Sequence, residues 1–396
     1  MQVIDLFREK GTVDELGFAP IRDAFADELF PGTSTIQTRA RYFLFVPWIM
    51  QGLEKQNRTA QQIADKIRRR EVDLITALLA GGEDQEGIIG RESRGALKRM
   101  PSNAYWRGLF LWGIRIAPGS IEQYQRRLAR FGGAPDEPQM LTDDKEPLAP
   151  KLRVWHPALP KRPEDLDEKA RFELTPDEAD FLRERICTNQ PESALAHVLR
   201  RATSAIKAEY VWEKAIPEML PLDLRRTVDH ARLFAWCAEG APLVYAKMLA
   251  EMKGSDESIT DLEVLLGTWQ EHVRNADAEL RNWDRDSFWV LVSEMNPNLS
   301  SRTRAFAAAW IDVALRAAAG ESIWNDPAVR KLIYNRESQL KGALARLIPE
   351  NHRARDRWQR DVGGGAIDYR WGPAQIVLND IIAGLHGSAV DGQVDA

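Results

Sequence analysis

The chain has 396 residues, 44% hydrophobic and 29% charged, a balance that excludes disorder over most of its length and supports two or three cores. Its formal net charge is −5, so binding to nucleic acid through the whole surface is excluded. Two cysteines outside any Cys-x-x-Cys pair exclude a disulfide framework or a zinc module, and no apolar run reaches the length of a membrane span. The first ten residues lack the apolar stretch of a signal peptide, so a cytoplasmic, reduced protein with no membrane contact is expected.

Elements follow in chain order. Asp14-Glu-Leu-Gly17 leads into a helix from Ile21 to Leu29, and Pro31-Gly32 is turn chemistry. Thr33, Ser34 or Thr35 can cap a following helix. That arrangement raises a helix-turn-helix within residues 12–80, whose second helix would present Thr35, Gln37, Thr38 and Arg39 to DNA. On such a helix Arg39 and Arg41 lie about 200° apart and cannot face solvent together. The run Tyr42 to Trp48 is too apolar for a surface helix and must be buried. Residues 60–79 carry Ile63, Ile67, Leu74, Ile75 and Leu78 on one helical stripe, and a short helix at 120–131 ends before Gly132-Gly133.

Residues 133–171 are rich in proline and acid, which reads as a linker or strap that Trp155 could pin to a surface. Thr175-Pro-Asp-Glu178 is a capped, dipole-matched helix start. Further helices are read at 192–211, 223–238, 240–252, 258–282, 284–295, 301–319, 326–348 and 372–385. Strand patterning is nearly absent; 153–155, 88–89 and parts of 105–116 are the candidates. The expected fold is mainly α and multi-helical, with at most one or two small β-hairpins. Three segments follow: a helical domain at 1–132, a linker at 133–171 and a helical domain at 172–396.

Charge is uneven across those segments. Residues 1–132 hold 20 Lys+Arg against 16 Asp+Glu, whereas residues 133–180 hold 7 against 13. A nucleic-acid surface therefore belongs in the first segment. Its candidates are Arg39, Arg68, Arg69, Arg70, Arg91, Arg94, Lys98 and Arg99, with Tyr105 and Trp106 close behind. Cations grip phosphate and rings stack on bases. A solvated helix face beside core aromatics produces the same string.

No catalytic motif stands out. Asp14, Glu15 and Asp23 could hold a divalent ion for a nuclease or another hydrolase, or could simply cap a helix and pair with Arg22. Glu337 and Lys341 form an i, i+4 pair more in keeping with structure than with chemistry. Gly363-Gly-Gly365 has no following Lys-Ser/Thr, so it is no P-loop, and no cofactor is expected. The six histidines, His156, His197, His230, His272, His352 and His386, form no zinc-helix spacing.

Several stretches together resemble a family of uncharacterised bacterial proteins of about 400 residues. They are Asp14 to Gly17, Ile21-Arg-Asp-Ala-Phe25, Leu29 to Trp48, Ile89-Gly-Arg91, Pro101-Ser102, Tyr105-Trp106, Trp112-Gly-Ile-Arg115, Leu174 to Leu182, Leu332 to Leu347 and Asp368-Tyr-Arg-Trp371. Members of that family often lie in phage-defence or mobile gene clusters beside helicases and nuclease-like genes. The resemblance implies a setting, antiviral defence, and no reaction. From it and the charge pattern, an accessory component contacting DNA, RNA or helicase and nuclease subunits is expected. A metal-dependent nuclease and a structural scaffold subunit are the alternatives.

Overall fold

The computed structural model describes residues 14–54, 58–83, 86–92, 99–131, 153–358 and 365–387. Among them the fold is mainly α: fifteen α-helices and no strand, with a single isolated antiparallel bridge between Arg115 and Trp155. No described helix is long and apolar enough to cross a membrane.

The chain forms two units that are not the expected sequential segments. One comprises Met1–Glu28 with Glu209–Tyr369, the other Leu29–Ala208 with Arg370–Ala396. The boundary expected near residue 132 falls inside the second unit. The physical reason lies in the strap: Val154, Trp155, Leu166 and Ala170 are buried, and Pro160 accepts a hydrogen bond from Trp48 Nε1 at 2.8 Å. Residues 153–171 thus pack on the helices that precede them. Residues 133–152 lie outside the described residues.

The first unit contains α1 (Ala19–Leu29) up to Glu28, then α8 (Leu222–Lys253), α9 (Asp256–Asn275), α10 (Asp277–Arg281), α11 (Arg285–Met295), α12 (Ser301–Ala318), α13 (Pro327–Lys341) and α14 (His352–Asp356). Helix α8 is its axis, and α9, α12 and α13 pack on it. Two helices were expected at 223–238 and 240–252; one 32-residue helix runs through Gly240 and Pro242. Gly240 is needed there because a Cβ would sit 2.4 Å from the Trp269 ring. The indoles of Trp269 and Trp310 donate to the carbonyls of Trp236 and Cys237, each at 2.8 Å. These bonds support the helix at the stretch where Pro242 lacks an N–H. The expected 258–282 helix instead breaks at Ala276, and the one at 326–348 stops at Gly342, whose φ is +53°.

The second unit contains α2 (Tyr42–Gln51), α3 (Ala60–Ala80), α4 (Pro101–Leu111), α5 (Ile121–Phe131), α6 (Pro176–Asn189), α7 (Ala194–Arg201) and α15 (Trp371–His386). Helix α2 buries nine of its ten residues, as its composition demands. Phe43 stacks on Trp112 at 3.8 Å and meets Tyr105 edge-on at 4.8 Å. Burial of each such ring stabilises by roughly 1.5–3 kcal/mol. Helix α3 begins at a Thr59 capping box with Gln62, and α6 at the corresponding box of Thr175 and Glu178. Helices α3 and α5 pack together, as do α2 with α4 and α6 with α15.

Candidate nucleic-acid interface

Residues 33–41 do not form the second helix of a helix-turn-helix. They run as turns and extended chain. Gln37 is buried and donates to the carbonyls of Gly32 and Ala104, while Thr38 Oγ1 donates to Gly87. Gln37 and Thr38, expected to read DNA, are spent holding this segment to α4 and to the turn at Gly87, while Thr35 is exposed on a turn and not on a helix. Arg39 faces inward as well. It makes a bidentate pair with Asp380 at 2.9–3.1 Å, and its guanidinium lies 4.7 Å over Phe172.

The aromatic half of the expected surface is interior. Tyr105 is wholly buried; its hydroxyl accepts the N–H groups of Thr38 and Arg39 and donates to the Arg39 carbonyl. Burial raises its pKa far above that of a free phenol. Trp106 is 9% exposed, and its Nε1 donates to Gly119. Neither ring can stack on a base. The physical reason is periodicity: Tyr105 and Leu109 share the face of α4 that meets α2, and the string Tyr-Trp-Arg places only Arg107 outside.

Cations that reach solvent include residues of α3 and α5. On α3 the buried stripe is Ile63, Ile67 and Leu74. Relative to Ile63, Lys66 and Arg70 lie near 300–340° and Arg69 near 240°, whereas Arg68 lies at about 140° on the other flank. The three consecutive arginines therefore do not act as one patch. Arg69 is exposed, its Nε reaching only the Asp65 carbonyl at 3.3 Å, and Arg70 pairs with Asp167 at 3.1 Å at a half-open position. Desolvation, then the guanidiniums of Arg58, Arg70 and Arg69, push the Lys66 ammonium below its ordinary pKa. The like charges are a smaller cause than desolvation, and Asp167 already meets the charge of Arg70.

Helix α5 supplies the second row. It buries Tyr124 and Leu128, four residues apart, which turns Arg126 and Arg130 to the opposite face, where both are exposed. Arg99 is exposed and Arg91 half-buried; Arg94 and Lys98 lie outside the described residues. Sequence reasoning passed over Arg58, Lys66, Arg126 and Arg130. The placement of Arg126 and Arg130 opposite Tyr124 and Leu128 was the available signal.

The carboxylates considered for a metal ion take separate partners. Asp14 caps α1 through the N–H groups of Phe18 and Ala19, Asp23 bonds Arg22, and Glu15 pairs with Lys341 and Arg346. Among the described residues no cluster of three metal-ligating side chains occurs. Glu15 instead joins a polar network with Tyr245, Glu337, Lys341 and Arg346. Tyr245 donates to Glu337 at 2.6 Å, and Lys341 reaches Glu337 at 3.0 Å. Burial pushes the Glu337 pKa up, but bonds from Tyr245, the N–H groups of Arg346 and Leu347, and Lys341 outweigh it and hold the carboxylate ionised. Two acids and two bases satisfy one another there. His230, beside Asp229, accepts from Trp283 Nε1 at 2.9 Å, an interior contact. Of the triple glycine, Gly363 and Gly364 lie outside the described residues.

Fold and surface define an all-α protein of two units, one of which presents rows of cations on adjoining helices. The chain belongs to the family of unknown function DUF6361, whose match extends over residues 1–384. No curated protein and no solved structure matches the chain.

Proposed function

We propose that this protein is a non-enzymatic, nucleic-acid-binding accessory component, acting in the phage-defence setting that its family resemblance implies. The observation that supports the reading is the exposure of Arg69 on α3 and of Arg126 and Arg130 on α5, two helices that pack together. Such rows grip phosphates without reading bases, so binding is independent of sequence and driven by counterion release. The buried Tyr105 and Trp106 take no part. Dispersal of Asp14, Glu15 and Asp23 favours this reading over a metal-dependent nuclease built on those residues.

The test is fluorescence anisotropy with duplex and single-stranded oligonucleotides across about 50 to 200 mM salt. Affinity falls steeply over that range. The triple variant Arg69→Ala, Arg126→Ala, Arg130→Ala weakens binding alike for unrelated sequences and flattens the salt slope by about one per lost phosphate contact. Absence of binding at the lowest salt, or an affinity indifferent to salt, overturns the reading.

A further inference from the structure

Arg115 is a buried cation with no counter-ion among the described residues. Its position is set by the chain around it. Ile114 is interior, and the segment is pinned by the bridge to the strap: Ile116 N–H donates to the Val154 carbonyl and His156 N–H to the Ile114 carbonyl, both at 2.8 Å. The side chain is 4% exposed, with its guanidinium 4.3 Å over the Trp106 ring and 4.8 Å over Phe110. Its terminal nitrogens donate to the carbonyls of Ala117 and Trp106, and its Nε has no partner. Burial alone lowers its pKa, to about 10, and no described carboxylate restores it.

Other buried arginines of this protein are provided for. Arg41 and Arg185 also leave Nε unpaired, but Glu178 and Glu184 meet their charge. Arg336 and Arg355 lack a carboxylate pair, yet carbonyls, a hydroxyl and His352 take up their donors. Arg115 alone among the described residues combines an orphan donor, no ion pair and a place in the wall of a cavity. That cavity is also lined by Trp106, Pro118, Tyr124 and Arg127. It is a partly open hollow of about 10 Å³, space for one water or one ligand oxygen. A buried charge left uncompensated is costly, and the Arg115 N–H groups not taken by the Ala117 and Trp106 carbonyls can donate to an oxyanion.

We infer that Arg115 and Arg127 form a receptor for a phosphate monoester, the terminal phosphate of a nucleic-acid strand, with Trp106 and Tyr124 as its walls. One phosphate oxygen enters the hollow toward Arg115, and the half-exposed Arg127 in its wall neutralises the group. A space for a single atom favours a phosphate that projects from a strand end over a diester flanked by sugars on both sides. The identity of the ligand rests on the nucleic-acid reading above; the anion site itself does not.

The experiment compares oligonucleotides of one sequence, about 20 nucleotides long, with 5′-phosphate and 5′-hydroxyl ends, against the full chain. Inorganic phosphate is titrated separately and followed by ³¹P line broadening. The phosphorylated strand binds about tenfold tighter, as a charge-assisted fork contact permits, and Arg115→Lys and Arg127→Gln bring the ratio close to one. Arg127→Gln, at a half-exposed position, guards against a folding defect in the buried variant. Equal affinity for the two ends, with salt-dependent binding intact, overturns the inference and leaves the broader reading standing. Line broadening that Arg127→Gln abolishes, with no binding of either strand, supports the anion site with free phosphate as its source and removes the nucleic-acid reading. Neither broadening nor a difference between ends removes the site.

Discussion

Arg41 and Glu178 meet at 2.8 Å inside the second unit, both nearly closed to solvent. Arg41 precedes α2 and Glu178 closes the capping box of α6, so one ion pair ties two helix starts together. The guanidinium also donates to the Arg171 carbonyl and lies over Phe45 and Trp48. Removing one partner strands the other charge. Glu178→Ala is expected to lower stability by about 3–5 kcal/mol in urea unfolding, whereas the apolar double variant Arg41→Met, Glu178→Leu recovers most of it. A loss under about 1 kcal/mol for Glu178→Ala shows that water already reaches the pair.

Glu71 gives the unit a pH dependence. Its carboxyl is 2% exposed and accepts the N–H and hydroxyl of Ser102, at the start of α4. Burial pushes its pKa up to about 7, against the opposing bonds from Ser102 and the charge of Arg68. The folded state therefore holds this proton more tightly than the unfolded chain. Its contribution is complete below the ordinary glutamate pKa and is lost as pH rises through about 7. Glu71→Gln keeps an acceptor for Ser102 and carries no charge. Melting curves are expected to show the variant overtaking the parent between pH 5 and 8, by roughly 1–3 kcal/mol at the upper end. Parallel pH profiles contradict this.

Binding and packing separate cleanly at α4 and α3. Tyr105→Phe removes three hydrogen bonds to residues 38–39 and is expected to cost about 1–3 kcal/mol of stability while leaving oligonucleotide affinity as it was. Arg69→Ala does the reverse: stability stays within about 0.5 kcal/mol, and affinity and its salt slope both fall. Thermal unfolding and anisotropy on the same two variants decide the matter.

Gly240 inside α8 and Gly254 just after it differ in why they are glycine. Gly254 ends the helix at φ +66° with nothing within 4 Å of a Cβ. Gly254→Ala therefore pays only for a left-handed backbone, about 1 kcal/mol. Gly240→Ala gains helix propensity but drives a methyl into the Trp269 ring. It is expected to cost more than Gly254→Ala and to shift tryptophan fluorescence, because the indole that donates to Trp236 must move. Equal losses without a spectral change contradict this account.

Local signals carried most of the helices. The capping box at Thr175, the stripe from Ile63 to Leu78 and the apolar run from Tyr42 to Trp48 each name a helix or a buried segment by chemistry within a turn or two. The lengths of α8, α9 and α13 were less legible, since a glycine or proline inside a helix is tolerated only if a neighbour such as Trp269 fills the gap.

The sequence by itself determined an α-helical protein, its caps and its buried faces, because these follow from the 3.6-residue period and from side chains near their own backbone. Tertiary structure decided the rest. Whether Arg39 meets solvent or Asp380, whether Tyr105 is a platform or a core ring, and whether a described carboxylate meets Arg115 depend on residues up to 341 positions away. The strap at 153–171 joined the unit before it for the same reason: burial of Trp155 and Leu166 outweighs an acidic, proline-rich composition that looks like a linker when read alone.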